Sequence, residues 1–268
     1  MSDLVFLTAS PGDLLPWVHR VWYSRGYLTA LRETVLPAAA TDVVANLGPA
    51  MRLIRGTGLS EFTGTVVSGL MSRPFLLEHP VYHEAVGIQL TPHGMRAVLG
   101  VPAGEAKDRM VPLEGLTRSG RDELFEVCSA SSSPLDRLNA AIKWVRGRVN
   151  EYPHSGDPMV RWATGEIDTA RGRIGIRDLQ GASGYGATRF NQRFVDELGV
   201  TPKHYARLAR FRATLNCLRP GRDLGRLAAD LGYSDQSHMN REFRRFAETT
   251  PTDVLVRRYS GGLTLSEG

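Results

Sequence analysis

From about Leu4 to Gly100 the apolar residues come in short runs broken by glycine and proline: 41–47, 51–54, 64–69, 75–77 and 86–90. Runs this short, rich in β-branched residues and bounded by turn formers, predict strands. With others of the kind in the same region, a count of roughly six or more favours a small sandwich or barrel. After Thr91-Pro92 the rhythm changes, and Met95, Val98 and Leu99 suit a short helix. Ser133-Pro134 opens a longer one whose Leu135, Leu138, Ile142 and Val145 are spaced three, four and three apart, as one helical face requires. Between Glu151 and Pro158, Pro153 and Gly156 interrupt the helical pattern. The predicted organisation is α+β: a β-rich, cupin or jelly-roll-like domain over 1–116, a helical connector over 117–156, an all-α domain over 157–260 and a tail over 261–268.

Within the all-α domain a single grammar occurs twice: a short helix, a Gly-Tyr turn, a second helix, then Thr-Pro opening another. Counted from Gly184, Phe190, Phe194 and Thr201 lie at 6, 10 and 17; counted from Gly232, Met239, Phe243 and Thr250 lie at 7, 11 and 18. The second unit thus has one extra residue in its turn, and the rest stays in register. A doubled pattern is much harder to obtain by chance than a single motif. In the second unit Leu224, Leu227, Ala228 and Leu231 form an apolar stripe, with Asp223 to cap the helix start and Gly232 to end it. Ser234 or Asp235 caps the next helix, which turns Met239, Phe243 and Phe246 inward. Gln236, Ser237, Asn240, Arg241 and Arg244 share the opposite face. In the first unit Phe190, Phe194 and Leu198 point inward, leaving Thr188, Asn191, Gln192 and Val195 outside and Arg189 and Arg193 at the flanks. Amide and guanidinium side chains can pair bidentately with adenine and guanine edges in a major groove. Between the units Thr201-Pro202 opens a spacer helix with Tyr205, Leu208, Phe211 and Leu215 as its stripe. About 17 residues give roughly 26 Å, enough to set two reading helices about one DNA turn apart.

Charge supports the same division. Residues 1–156 carry 15 basic and 15 acidic side chains, whereas 157–268 carry 18 and 13, so the whole net charge of +5 lies in the helical half. Such an asymmetry suits a phosphate-binding half beside a neutral one. No apolar run approaches the 18 to 20 or so residues of a membrane helix. The first residues lack a secretory pattern, and a cytoplasmic location is expected. Cys128 and Cys217 have no metal-like spacing and read as reduced thiols.

The stretch 227–246, Leu-Ala-Ala-Asp-Leu-Gly-Tyr-Ser-Asp-Gln-Ser-His-Met-Asn-Arg-Glu-Phe-Arg-Arg-Phe, closely resembles the signature at the end of AraC/XylS-type transcription regulators. Glu197 to Tyr205 resembles that family's link from the first reading helix into the spacer helix. The likeness covers about residues 157–260. It implies seven helices with two helix-turn-helix units that bind promoter DNA sequence-specifically, with RNA polymerase as a partner if the protein activates. Carried over by position, it makes Thr188, Asn191 and Gln192 reading residues of the first unit and Gln236, Ser237, Asn240 and Arg241 those of the second, with Arg189 and Arg244 as further DNA contacts. The β-rich half resembles sensing domains, which implies a small-molecule effector or a homodimer. No enzyme activity, cofactor or metal is expected. Two departures stand out: Gly186 where serine usually caps the first reading helix, and Ala247-Glu248-Thr249 in place of a glycine-containing turn.

The residues admit other readings. His79, His83, Glu84 and His93 near predicted strands would suit a metal-binding cupin-like enzyme or sensor, but the usual His-x-His element is absent. Alkyl-transfer repair proteins can carry a similar DNA-binding module, yet neither cysteine sits in a Pro-Cys-His motif. RNA recognition lacks an aromatic stacking platform. His238, beside the inward Met239, reads as a packing or capping residue.

Overall fold

The computed structural model describes residues 4–55, 58–152 and 156–259. Among the described residues the N-terminal half contains eight strands, all paired antiparallel: β1 (Val5–Ala9), β2 (Val18–Tyr27), β3 (Arg32–Val35), β4 (Thr41–Arg55), β5 (Gly58–Ser68), β6 (Phe75–Glu78), β7 (Tyr82–Leu90) and β8 (Met110–Pro112). Their order is β1-β2-β7-β4-β5-β8, with β6 joining β4 and carrying β3 on its far side. The two runs at 41–47 and 51–54 are one strand. Its register slips between Asn46 and Met51, so the first half pairs with β7 and the second with β6. Gly48 and Pro49 broke the hydrophobic pattern there, and the break proves to be an irregularity inside a strand rather than a connection. Val18, Val21, Val43, Val67, Val86, Ile88 and Leu90 are buried between this sheet and the helices packed on it.

Two helices follow the sheet strands and pack beside it: α1 (Gly94–Leu99), before β8, and α2 (Glu123–Ser129), after it. Then α3 (Pro134–Glu151) starts where its signals placed it, Ser133 Oγ accepting the amide of Asp136. Leu138, Ile142 and Val145 are buried as expected, but Leu135 is 59% exposed because it lies in the first turn, before the helix reaches the sheet. Glu84 on β7 is the buried anchor for this helix. It accepts from Tyr23 and Tyr82 and forms an ion pair with Arg137 of α3.

The helical half comprises α4 (Pro158–Thr169), α5 (Ile176–Ser183), α6 (Ala187–Leu198), α7 (Pro202–Cys217), α8 (Leu224–Asp230), α9 (Gln236–Ala247) and α10 (Pro251–Tyr259). That is the expected α+β sequence of a β-rich half and a helical half with two helix-turn-helix units. The two halves share one continuous core. Across their seam, Arg96 of α1 reaches Glu197 of α6, and His93 Nε2 lies 2.8 Å from the Thr164 hydroxyl of α4. Gly104, in a short 3-10 turn, meets Gly199 backbone to backbone. A Cβ on Gly199 would fall 2.7 Å from the Gly104 Cα, so that close approach excludes a side chain.

Candidate nucleic-acid interface

Each unit is built by local capping and by an aromatic underside. Thr201 accepts from the His204 amide at the head of α7, Asp223 caps α8, and Asp235 caps α9 by accepting from the His238 amide at 2.6 Å. Of the two candidate caps for α9, Asp235 is the one engaged. That amide and the nearby Arg241 charge hold its carboxyl below the usual range. Gly184, Gly199 and Gly232 occupy the left-handed region in which their turns need no Cβ strain. Gly186 leads α6 with extended backbone and no side-chain cap, and Glu248 takes the left-handed conformation (φ 54°) after α9.

Beneath α9, Phe211 of the spacer helix packs against Phe243 and Phe246 with ring centroids 5.0 and 5.1 Å apart. Beneath α6, Phe190, Phe194 and Tyr205 form a similar stack, Phe190 and Phe194 lying 5.4 Å apart. Met239, Leu198, Leu208 and Leu215 are buried beside them, as the stripes required. Buried Glu242 on α9 accepts from Arg207 of α7, and this pair joins the two helices. Tyr233, from the Gly-Tyr turn, is buried against the Thr214 hydroxyl.

The outward faces of α6 and α9 are polar. Thr188, Arg189, Gln192, Gln236, Ser237, Arg241 and Arg244 are exposed, and Val195 is 39% exposed. Gln192 turns its amide to Asp196 at 2.7 Å, and Arg189 lies 5.3 Å above the Tyr185 ring. Asn191 and Asn240 are only half-exposed. Asn240 departs from the fully outward position expected, since its Oδ1 is shielded and has no partner among the described residues. Its place one residue after the core residue Met239 accounts for this, and the free acceptor is one that a donor outside the protein could reach only by displacing neighbours.

The basic excess is partly structural, which residue counting does not reveal. Arg193 is paired with Asp157, Arg207 with Glu242, and Arg210 donates to the Gly172 carbonyl at 2.8 Å. Arg241 and Arg244 make no hydrogen bond or ion-pair contact among the described residues, so their charge faces outward.

The metal constellation is not assembled. Glu84 is taken up by Tyr23, Tyr82 and Arg137, while His93 faces Thr164 at the seam; His79 contacts Glu33 at 2.8 Å and stands edge-on to His83. Among the described residues no group of three or more His, Cys, Asp or Glu could hold a metal ion. Cys128 and Cys217 are free thiols. No described helix is long and apolar enough to cross a membrane.

Comparison with known proteins agrees with this architecture. Residues 180–257 match a helix-turn-helix domain family, and residues 8–112 match a domain of unknown function, DUF6597. No curated protein matches by sequence. Among solved structures, ToxT from Vibrio cholerae is similar over 94% of this chain and 98% of its own, at 12% identity and a TM-score of 0.50. ToxT from Vibrio cholerae O395 bound to (E)-4-(8-methylnaphthalen-1-yl)but-3-enoic acid is similar over the same shares at 11% identity, also with a TM-score of 0.50. The likeness to ToxT shows the fold alone, from sheet to final helix. The matched domain, with the doubled unit and its signature, gives residues 180–257 a helix-turn-helix domain similar to that of AraC/XylS-type regulators and makes the chain a DNA-binding transcription regulator.

Proposed function

We propose that α6 and α9 enter successive major grooves on one side of a promoter, and that the β-rich half controls this in response to a small molecule. One observation carries the reading. Two helices present polar, exposed faces over buried aromatic undersides, and the far end of one of them, at Glu197, is tied to the β-rich half through Arg96. On this reading Thr188, Arg189, Asn191 and Gln192 face one half-site, and Gln236, Ser237, Asn240, Arg241 and Arg244 the other. The functional regions are 1–116 for sensing or pairing, 117–156 for connection, 157–260 for DNA and 261–268 as a tail.

The acid bound to the similar ToxT structure supports a small-molecule effector for this chain too. The protein acts in the cytoplasm without catalysing a reaction. RNA polymerase is its partner where it activates, and a second copy pairs through the β-rich half or α3. The deciding experiment is selection of genomic fragments by the purified full-length chain at several fixed salt concentrations. A motif of two half-sites about one turn apart is expected. Binding that fades with salt and shows no base preference would refute sequence-specific reading.

A further inference from the structure

The seam between the two halves forms a cleft, open to solvent on one side, of about 450 Å³, within the size range of small-molecule sites. Gln89, near the end of β7, lines it from the β-rich half. Asp168 of α4 and Ala209, Arg212, Ala213 and Cys217 of α7 line it from the helical half. Ala209 and Ala213 lie one turn apart, and their short side chains leave open the space that larger residues on that face would fill.

Two polar groups in this wall lack what they need. Gln89 is fully buried (0% exposed), and its amide nitrogen donates to Asp42 at 3.3 Å, yet its Oε1 has no partner among the described residues. An orphaned buried acceptor of this kind costs about 1–3 kcal/mol unless a donor is supplied. Arg212 makes no hydrogen bond or ion-pair contact among the described residues, and the protein around it lowers the stability of its charged form. Asp42, Asp168, Tyr205 and Arg20 are the titratable groups whose fields reach it. Burial pushes both carboxyls up to about 6. Arg171 adds a further cationic side chain to the wall, and the Arg20 Nε behind it is buried without a partner among the described residues.

We propose that this cleft binds a small hydroxylated carboxylate, its carboxylate held by Arg212 and a hydroxyl donating to Gln89 Oε1. The hydroxyl supplies the missing donor, and the carboxylate supplies the direct ion-pair contact that Arg212 lacks among the described residues, the Asp42 and Asp168 carboxyls acting on it only through their fields. The site deepens the effector reading above and rests on it for its consequence for DNA. An occupant held by Gln89 on one side and Arg212 on the other would fix the spacing of the two halves.

Cys217 provides a reporter inside the wall, while Cys128 is fully buried, its thiol pushed up to about 12, and stays silent. The native full-length chain is alkylated with iodoacetate or with iodoacetamide, a charged and a neutral reagent of nearly equal size, and Cys217 is followed by peptide mass spectrometry. The rate ratio of iodoacetate to iodoacetamide is expected to exceed that of N-acetylcysteine by about tenfold. It should fall to the free-thiol value in Arg212→Gln and be largely kept in Arg212→Lys. Gluconate should protect Cys217 from iodoacetamide at least ~5-fold better than hexanoate, its counterpart without hydroxyls, and Gln89→Met should erase that preference.

A free-thiol ratio in the wild type, or one unmoved by Arg212→Gln, overturns the anion site. Equal protection by the two acids overturns the hydroxyl. If Arg212→Gln fails to fold, the wild-type comparison with N-acetylcysteine still decides. None of these readings involves DNA. A chain that distinguishes gluconate but selects no DNA motif would therefore refute the regulator reading and leave the site standing.

Discussion

Replacing Arg96 with methionine removes the guanidinium that joins the β-rich half to the first reading helix and keeps most of the apolar stem. Both oxygens of Glu197 accept from Arg96 Nε, at 3.1 and 3.0 Å, and the Glu197 side chain is 6% exposed. Glu197 has no other hydrogen bond among the described residues, so the substitution leaves a carboxylate shielded and alone. Orphaning one member of a buried pair costs about 3–5 kcal/mol. Arg96 itself is 32% exposed, so water can reach its vacated end. That screening brings the expected loss to about 2–3 kcal/mol. Glu197→Gln, which retains an acceptor, should cost less, about 1 kcal/mol. The double variant should cost less than the sum, because no charge is left unpaired. Urea unfolding of the full-length chain, followed by far-ultraviolet circular dichroism, gives all three values. Arg96→Met within about 0.5 kcal/mol of wild type would falsify the view that this pair clasps the seam.

Arg241→Ala should relax base preference at one position of the operator and cost about 1–3 kcal/mol, read by competition with single-base operator variants; an equal loss on every sequence would reassign Arg241 to phosphate. Glu248→Gly relieves a side chain from left-handed backbone (φ 54°) and should stabilise the chain by about 1 kcal/mol in urea unfolding. An unchanged midpoint would mean that Glu248 makes a compensating contact. Gly186→Ser meets nothing within 4 Å of its Cβ and should add a few tenths of a kcal/mol as a cap, visible as slower hydrogen exchange in the first turn of α6. Burial pushes His93 down to about 4, and its stabilising contribution is therefore complete above the unfolded value near 6.5 and lost as pH falls from there towards 4. Asp42 and Asp168, pushed up to about 6, work the other way: they favour folding in acid, and that contribution is lost as pH rises from about 4 through 6. His93→Gln should thus lower the slope of stability against pH by about 1 kcal/mol per unit between roughly pH 4.5 and 6. Matching slopes in the two proteins would rule His93 out as the source.

The longer helices were largely legible because their instructions are local. Ser133, Thr201, Asp223 and Asp235 each announce a helix within three residues of the amide they cap, and Phe190 and Phe194 or Met239 and Phe243 declare an inner face by spacing alone. Where partners are distant, the pattern is silent. Nothing near Arg96 points to Glu197, and nothing near His93 points to Thr164, 71 residues on. Of the residues read as a metal constellation, only His79 and His83 meet, edge-on, because β7 carries His83 and Glu84 on opposite faces while His93 lies beyond the strand's end. The joining of 41–47 with 51–54 likewise depends on β5, β6 and β7, which a run of residues does not name.

The two reading helices do not begin alike. Asp235 fastens the first turn of α9 with a carboxylate, whereas α6 starts from glycine and draws its support from the aromatic stack below and the seam at its far end. Fraying of a helix start is a local opening with its own small free energy, and a missing side-chain cap lowers it. An operator would then be read by one stiff finger and one pliable one. Base changes beneath α9 would be felt in full, while those beneath α6 would be partly absorbed by its loose first turn, so that sites across a genome could drift in one half while the other half holds their identity.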